Sequence, residues 1–183
     1  MEFDADFSDA YPDAQEEIDE DLPSPKGAEM PIATFFDSDH AHDRVTRRSC
    51  TGVLQFVGRT PVTSISKRQG SVETSTYGAE FNAMRTATEE TMALRYMLRS
   101  LGVPVTQPTK MFGDNLGVIQ NASMPDSMLK KKHTAIAYHR VREAVAASII
   151  KPYHIDGEFN PSDVLTKSLG ASDHIRHVKS VMY

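Results

Sequence analysis

The chain has 183 residues, 39% of them hydrophobic, and a formal net charge of −5; that is enough for one packed domain and too little for two. A single cysteine, Cys50, excludes an internal disulfide framework and any cysteine-cluster zinc site. No apolar run approaches the roughly 18–20 residues of a membrane span, and the N-terminus has neither the basic nor the apolar region of a signal peptide, so a soluble, intracellular, reduced protein is expected.

The charge is unevenly spread. Eleven of the 25 acids and one of the 20 bases, Lys26, fall in residues 1–30, which leaves fourteen acids and nineteen bases, a net of +5, for residues 31–183. The first thirty residues also carry Pro12, Pro23, Pro25 and Gly27, and their apolar residues follow no helical or strand period. Such a segment buries too little surface to offset its ordering entropy and reads as a disordered acidic tether. Docking on a basic face of the same domain is the alternative.

From Pro31 the texture changes. The run Ile32 to Phe36 meets Asp37-Ser38-Asp39; Thr51 to Val57 is rich in Val, Leu and Phe, with Gly58-Arg59-Thr60-Pro61 as a turn; Val62 to Ser66 is a third β-like run. Three short strands with short connections predict an antiparallel meander. Phe81, Met84, Ala87, Thr91, Leu94, Leu98 and Leu101 then recur at spacings of three and four, the apolar stripe of a helix of about seven turns. Ser75 or Thr76 caps its start, and Gly102 with Pro104 stops it. A short strand, Lys110 to Gly113, ends at Asp114, and Asn115 to Asn121 reads as a short helix. Residues 131–147 read as a helix with Ile136, Val141, Ala144 and Val145 inward. Ile149 to Ile155 reads as a strand that Pro152 demotes to a sheet edge, because proline cannot donate to a ladder. Asn160-Pro161 is a helix-start signal. A last amphipathic piece carries Ile175, Val178 and Met182. Strands first, then strand and helix in alternation, predict a mixed α/β sheet covered by helices. No glycine-rich phosphate loop is present.

Four acids stand at special points of this order. Asp37 ends the first strand, Glu80 lies in the first turns of the long helix, Asp114 ends the fourth strand, and Asp163 follows Asn160-Pro161. If the first and fourth strands are neighbours, Asp37 and Asp114 lie side by side, and helix starts over the same sheet edge add Glu80 and Asp163. At ~4 Å and an effective dielectric of about 20, each carboxylate pair costs on the order of 4 kcal/mol, so cations are needed. Oxygen-only ligands select hard ions such as Mg²⁺ or Mn²⁺. Taken singly, each acid has a plain reading: a helix-dipole residue for Asp163, a turn for Asp114, a solvent-facing residue for Glu80, a strand end for Asp37. Asp39 and Asp43 compete with Asp37.

Residues 32–170 resemble the ribonuclease H domain at the C-terminal end of copia-type retrotransposon polyproteins. The resemblance is carried by Phe35-Phe36-Asp37-Ser38-Asp39-His40-Ala41, Thr46-Arg47-Arg48-Ser49-Cys50-Thr51-Gly52, Ser66-Lys67-Arg68-Gln69, and Glu73-Thr74-Ser75-Thr76-Tyr77-Gly78-Ala79-Glu80-Phe81. It continues through Phe112-Gly113-Asp114-Asn115, Lys131-Lys132-His133, Tyr138-His139-Arg140-Val141-Arg142-Glu143 and Asp163-Val164-Leu165-Thr166-Lys167. Each motif alone is weak; their order and spacing make the match specific. The resemblance implies a ribonuclease H-like fold, with a five-stranded mixed sheet of order 3-2-1-4-5 flanked by helices. Together with the composition of the first thirty residues, it divides the chain into a tether (1–30), the ribonuclease H-like domain (31–170) and a C-terminal helix (171–183). It also implies that Asp37, Glu80, Asp114 and Asp163 are catalytic and hold two Mg²⁺ or Mn²⁺ ions, with Asp37 bridging them. The activity implied is endonucleolytic cleavage of the RNA strand of RNA–DNA hybrids during reverse transcription.

Arg47, Arg48, Lys67, Arg68, Asn115, the run Lys130-Lys131-Lys132, His133 and Arg140 are the candidate nucleic-acid contacts. The loop before Asp163 lacks the histidine that some cellular ribonucleases H carry there, and His133, His139 and His154 lie elsewhere in the sequence. Where many copia-type domains have an acid two residues after the first of these histidines, this chain has Ala135. Two further readings stand beside the enzyme: a silent or co-opted hybrid-binding module, and an integrase-like nuclease of the same fold. The partners expected are an RNA–DNA hybrid and a reverse transcriptase domain, in cis or in trans, with no membrane. The setting expected is a cytoplasmic particle or the nucleus.

Overall fold

The computed structural model describes residues 6–127 and 135–182. Five strands, β1 (Ile32–Asp39), β2 (Cys50–Val57), β3 (Thr60–Arg68), β4 (Thr109–Gly113) and β5 (Ile150–His154), form one sheet of order β3-β2-β1-β4-β5. β1 runs antiparallel to β2, and β2 to β3, whereas β4 runs parallel to β1 and to β5. The mixed 3-2-1-4-5 sheet implied by the resemblance is therefore the one observed. β5 is an edge, as Pro152 demands. Among the described residues the helices α1 (Thr76–Ser100), α2 (Leu116–Ser123), α3 (Ala135–Ala146) and α4 (Ala171–Met182) accompany it, with short 3-10 turns at Gly157–Phe159 and Pro161–Leu165.

Strand alternation divides β1 between two faces. Thr34 and Phe36 point to the main core, and Phe36 is completely buried. There it packs with Val53 and Met111 of the sheet, Phe81, Met84 and Ala87 of α1, and Val118, Ile119 and Val141 of α2 and α3. Phe35 points to the other face, where it stacks on Phe112, and Phe112 on Tyr153. A Cβ on Gly113 would stand 2.3 Å from the Phe36 ring, so only glycine lets β4 pass this close to the core.

The long helix has the expected start and stop. Ser75 accepts a hydrogen bond from the Gly78 N–H. At the other end Gly102 takes a positive φ of 75°, and the Gly102 and Val103 N–H groups bond back to Arg99 and Leu98, which is the Schellman arrangement. The predicted stripe is buried from Phe81 to Leu94, while Leu101, beyond the last turn, is exposed. One expectation about an inward face needs correction. In α3 the buried residues are Tyr138, Val141, Arg142 and Ala144. At 100° per residue Ile136 lies nearly opposite Tyr138, and it is 81% exposed. In α4 His177 is buried, whereas Ile175 and Met182 are exposed. The part of the predicted helix over residues 131–134 lies outside the described residues.

The acidic segment does not behave as the expected tether. Phe7 is buried under the Arg142 guanidinium, and the Tyr11 hydroxyl meets His139 Nδ1 at 2.9 Å. The Glu16 carboxylate takes both Arg95 and Arg99 at 2.7–2.8 Å. Glu29 accepts from the N–H groups of Thr106 and Gln107. Composition counts the acids but not the buried cations waiting for them: Arg95 is 1% exposed and needs a counter-charge. Burial opposes ionisation of Glu16, but the two guanidiniums overcome it and hold its pKa down at about 2. Among the described residues no helix is long and apolar enough to cross a membrane.

Glu16→Gln is expected to destabilise the protein by about 3 kcal/mol, because it strands buried guanidiniums, as measured by urea unfolding. Since the folded pKa of Glu16 is depressed, its contribution is complete above the ordinary glutamate range and is lost as pH falls toward 2. An unchanged unfolding midpoint in the variant would show that the segment is not held.

Candidate active site

The C-terminal ends of the adjacent parallel strands β1 and β4 bring Asp37 and Asp114 together. The start of α1 lays Glu80 over the same end, and the 3-10 turn Pro161–Leu165 adds Asp163. One carboxylate oxygen from each of Asp37, Asp114 and Asp163 falls within 4.8 Å of the others. Asp37 is completely buried, Glu80 4% exposed and Asp163 8% exposed. All four predicted acids thus sit at one end of the sheet.

The positions of Glu80, Asp163 and Asp37 are set from outside the cluster. Gln69 is buried and its Nε2 donates at 2.9 Å to both Thr51 Oγ1 and the Ala79 carbonyl, which ties the start of α1 to β2 beside Glu80. Asn160 Nδ2 donates to the Phe36 carbonyl at 3.0 Å, and its Oδ1 accepts from Ser162, fixing the turn that carries Asp163 against β1. Gly52 faces Asp37 in the β1–β2 register. A Cβ there would come within 3.0 Å of Thr166, Leu165 and Ser162, so glycine is what lets the turn close on the sheet.

The electrostatics are those of crowded anions. Burial first, and then Asp37 and Asp114, push Glu80 up to about 9. Burial and Asp37 also raise Asp114, and push Asp163 up to about 6. Among the described residues Lys167 is the cation that answers them, and His154 adds a smaller pull on Asp114. Lys167 Nζ lies 3.1 Å from Asp37 Oδ1 and 2.9 Å from Asp163 Oδ1. Burial works against the ammonium, but Asp37 and Asp163 hold its pKa above the ordinary lysine value. The Thr166 hydroxyl donates to Asp37 Oδ2. Glu80 Oε2 is buried with no hydrogen-bond partner among the described residues. A buried, unpartnered carboxylate oxygen beside three converging acids fits a hard divalent cation, and the donors are all oxygen.

The competing acids have other work. Asp39 pairs with His42 at 2.5 Å. Asp43 accepts from Thr46 and Val45 and pairs with Arg68, interactions that lower its pKa. Of the candidate nucleic-acid contacts, Lys67 and Arg68 stand exposed at the end of β3, paired in register with Thr51 and Cys50. Two strand spacings, about 10 Å, separate them from β1. Arg47 is exposed in the β1–β2 loop with Arg48 partly covered beside it. Asn115 caps α2 by accepting from the Val118 N–H. Arg140 is not at the acid end: it lies beside Met92 and Glu143 in a cleft lined by Asp13 to Glu17. Met92 is twelve residues past Glu80 on α1, about 18 Å along the helix. Lys130, Lys131, Lys132 and His133 lie outside the described residues.

Three groups near the acids escape sequence reasoning. Thr166 and Lys167 carry no chemical signal until the turn is folded. His154 is remote from the cluster in sequence, but the parallel pairing of β5 with β4 sets it by Gly113, and its Nε2 donates to the Asp114 carbonyl at 3.0 Å.

The chain is similar to a stretch of known polyproteins. The retrovirus-related Pol polyprotein from transposon RE1 of Arabidopsis thaliana is 28% identical over 144 residues, 79% of this chain and 10% of the relative. That from transposon TNT 1-94 of Nicotiana tabacum is 29% identical over 141 residues, 77% of this chain and 10% of the relative. The chain thus spans about a tenth of the length of the curated relatives it matches. No protein-family model matches. Among solved structures, the RNase H1 of the archaeon Halobacterium salinarum NRC-1 superposes with a TM-score of 0.53 at 15% identity, over 74% of this chain and 94% of that one. An RNase H1 isolated from compost, solved in complex with an RNA/DNA hybrid, gives 0.58 at 16% identity, over 74% and 93%. At such identities the likeness shows the fold.

The raised acids set a pH dependence for the metal-free protein. A carboxyl whose folded pKa exceeds its unfolded one holds a proton that the unfolded chain has released, so stability falls as pH rises between the two values. Asp163 contributes up to about pH 6 and Glu80 up to about pH 9. Thermal unfolding in EDTA is therefore expected to show a melting temperature that declines from pH 5 to pH 9. Glu80→Gln should flatten the portion above pH 6, and an equally steep decline in that variant would contradict the placement of Glu80.

Proposed function

We infer that this chain, a homologue of the copia-type transposon Pol polyproteins folded as a ribonuclease H domain, is the metal-dependent endoribonuclease that cuts the RNA strand of RNA–DNA hybrids made by such a polyprotein. The observation that carries this reading is the convergence of Asp37, Asp114 and Asp163 within 4.8 Å, with the unpartnered oxygen of Glu80 beside them.

Asp37, Glu80, Asp114 and Asp163 would hold the divalent ions, with Asp37 shared because it stands on the central strand. Bound there, Mg²⁺ or Mn²⁺ supplies the Lewis acidity for in-line hydrolysis of a phosphodiester, leaving a 5′-phosphate and a 3′-hydroxyl. The residues themselves do the rest. Gln69 and Asn160 keep Glu80 and Asp163 aimed at β1. Burial of Asp37 and Glu80 keeps bulk water from screening the cluster. Arg47, Arg48, Lys67 and Arg68 flank the acid end and suit the phosphates of a duplex. The compost-derived neighbour was solved with an RNA/DNA hybrid, which supports the same substrate class here. The Pol polyprotein relatives support a reverse transcriptase as the source of the hybrid.

Incubation with end-labelled RNA–DNA hybrid and Mn²⁺ tests the reading. Wild type is expected to cut the RNA strand only, and EDTA to stop it. Asp37→Asn should lose roughly a thousandfold in turnover, the rate equivalent of about 4 kcal/mol of lost charge attraction. Binding without cutting by wild type would mark a silent hybrid-binding module, and joining of DNA ends would mark an integrase-like nuclease.

The flanking cations act on grip and not on chemistry. Replacing Arg48, Lys67 and Arg68 together with Gln is expected to raise KM. It should also flatten the log–log salt dependence of hybrid binding by about 0.7–0.9 for each phosphate that no longer has a cation beside it. Turnover at saturating substrate should hold. An unchanged salt slope would remove these residues from the interface.

A further inference from the structure

The four acids are not equally available. Asp37 offers two carboxylate oxygens, and both are taken by consecutive residues of one turn: Oδ1 by the Lys167 ammonium at 3.1 Å and Oδ2 by the Thr166 hydroxyl. The same ammonium reaches Asp163 Oδ1 at 2.9 Å. It therefore sits between the two acids on one side of the cluster. On the other side Glu80 Oε2 has no partner among the described residues.

We propose that Lys167 is a built-in counter-cation that fills the Asp37–Asp163 half of the cluster in the substrate-free protein, and that a second divalent ion enters this half only after the lysine side chain swings out. The inference rests on the metal-dependent reading above and adds to it an order of loading. An ammonium and a divalent ion about 4 Å apart repel twice as strongly as two unit charges, so the two cannot share Asp37 and Asp163. The turn holds the Lys167 backbone independently of its ammonium. Its backbone N–H bonds to the Asp163 carbonyl at 2.9 Å, while its side chain is 35% exposed. A flexible four-carbon stem that reaches solvent can leave without unfolding the turn. The Glu80–Asp114 half has no such internal cation among the described residues and is the half that loads first.

The consequence is a count of bound ions that one side chain controls. In Mn²⁺ titrations of the substrate-free full chain, followed by the electron paramagnetic resonance of the free ion, wild type is expected to bind one ion tightly. Lys167→Met keeps most of the stem and removes the charge, and should bind two, the second roughly tenfold or more tighter than any second ion in wild type. Lys167→Arg keeps the charge and should retain the single-ion stoichiometry. Equal stoichiometry and affinity in wild type and Lys167→Met would overturn the proposal while leaving the metal site intact. If neither protein binds Mn²⁺, the proposal and the metal-dependent reading both fall. Should the variants misfold, the nitrogen-15 resonance of the Lys167 ammonium in wild type decides. It should be protected from exchange in EDTA and lose that protection at saturating Mg²⁺; a resonance indifferent to Mg²⁺ would overturn the proposal.

Discussion

Mutual repulsion among the carboxylates at one end of the sheet is the constraint to which the rest of the structure answers. Each close pair costs on the order of 4 kcal/mol at an effective dielectric of about 20, and burial of Asp37 and Glu80 forbids relief by water. The metal-free protein relieves it in two ways. Glu80 keeps its proton to about pH 9, and Lys167 stands between Asp37 and Asp163. Both are the responses of a cluster poised for added positive charge.

Holding such a cluster together takes a frame that cannot relax. β1 and β4 are parallel neighbours, so their ends are fixed at one strand spacing. The other two acids arrive on separate elements, and each is tied down by a buried amide. Gln69 links α1 to β2 beside Glu80, and Asn160 links the Asp163 turn to β1. Gly52 then removes the one Cβ that would hold the turn away. Far from this end, Glu16 neutralises Arg95 and Arg99. The acidic segment thereby belongs to the packed body of the domain, and the Arg140 side of α3 faces that segment and not the acids.

The elements and the four acids are legible in the sequence because local signals carry them, whereas the sheet order comes only from the resemblance to the ribonuclease H domain of copia-type polyproteins. Strand runs end at Asp37 and Asp114, a 3.6-residue stripe places Glu80 at a helix start, and Asn160-Pro161 announces the turn before Asp163. What escapes depends on interactions between distant parts of the chain. Glu16 looks like one solvated acid among eleven, because the sequence does not show that Arg95 is buried. His154 looks remote until β5 pairs with β4. Lys167 lies inside a legible motif, but its role exists only once the turn carries it back to Asp37. Ile136 is misplaced by the assumption that an apolar residue on a short helix faces inward.

Diffraction from crystals soaked in Mn²⁺, with data collected for the anomalous signal of manganese, tests the central claim most directly. The account predicts an anomalous peak at ligand distance, roughly 2 Å, from oxygens of Glu80 and Asp114 in the substrate-free protein. A fully soaked crystal with no peak among these acids, in a protein that still cuts hybrid, would contradict it.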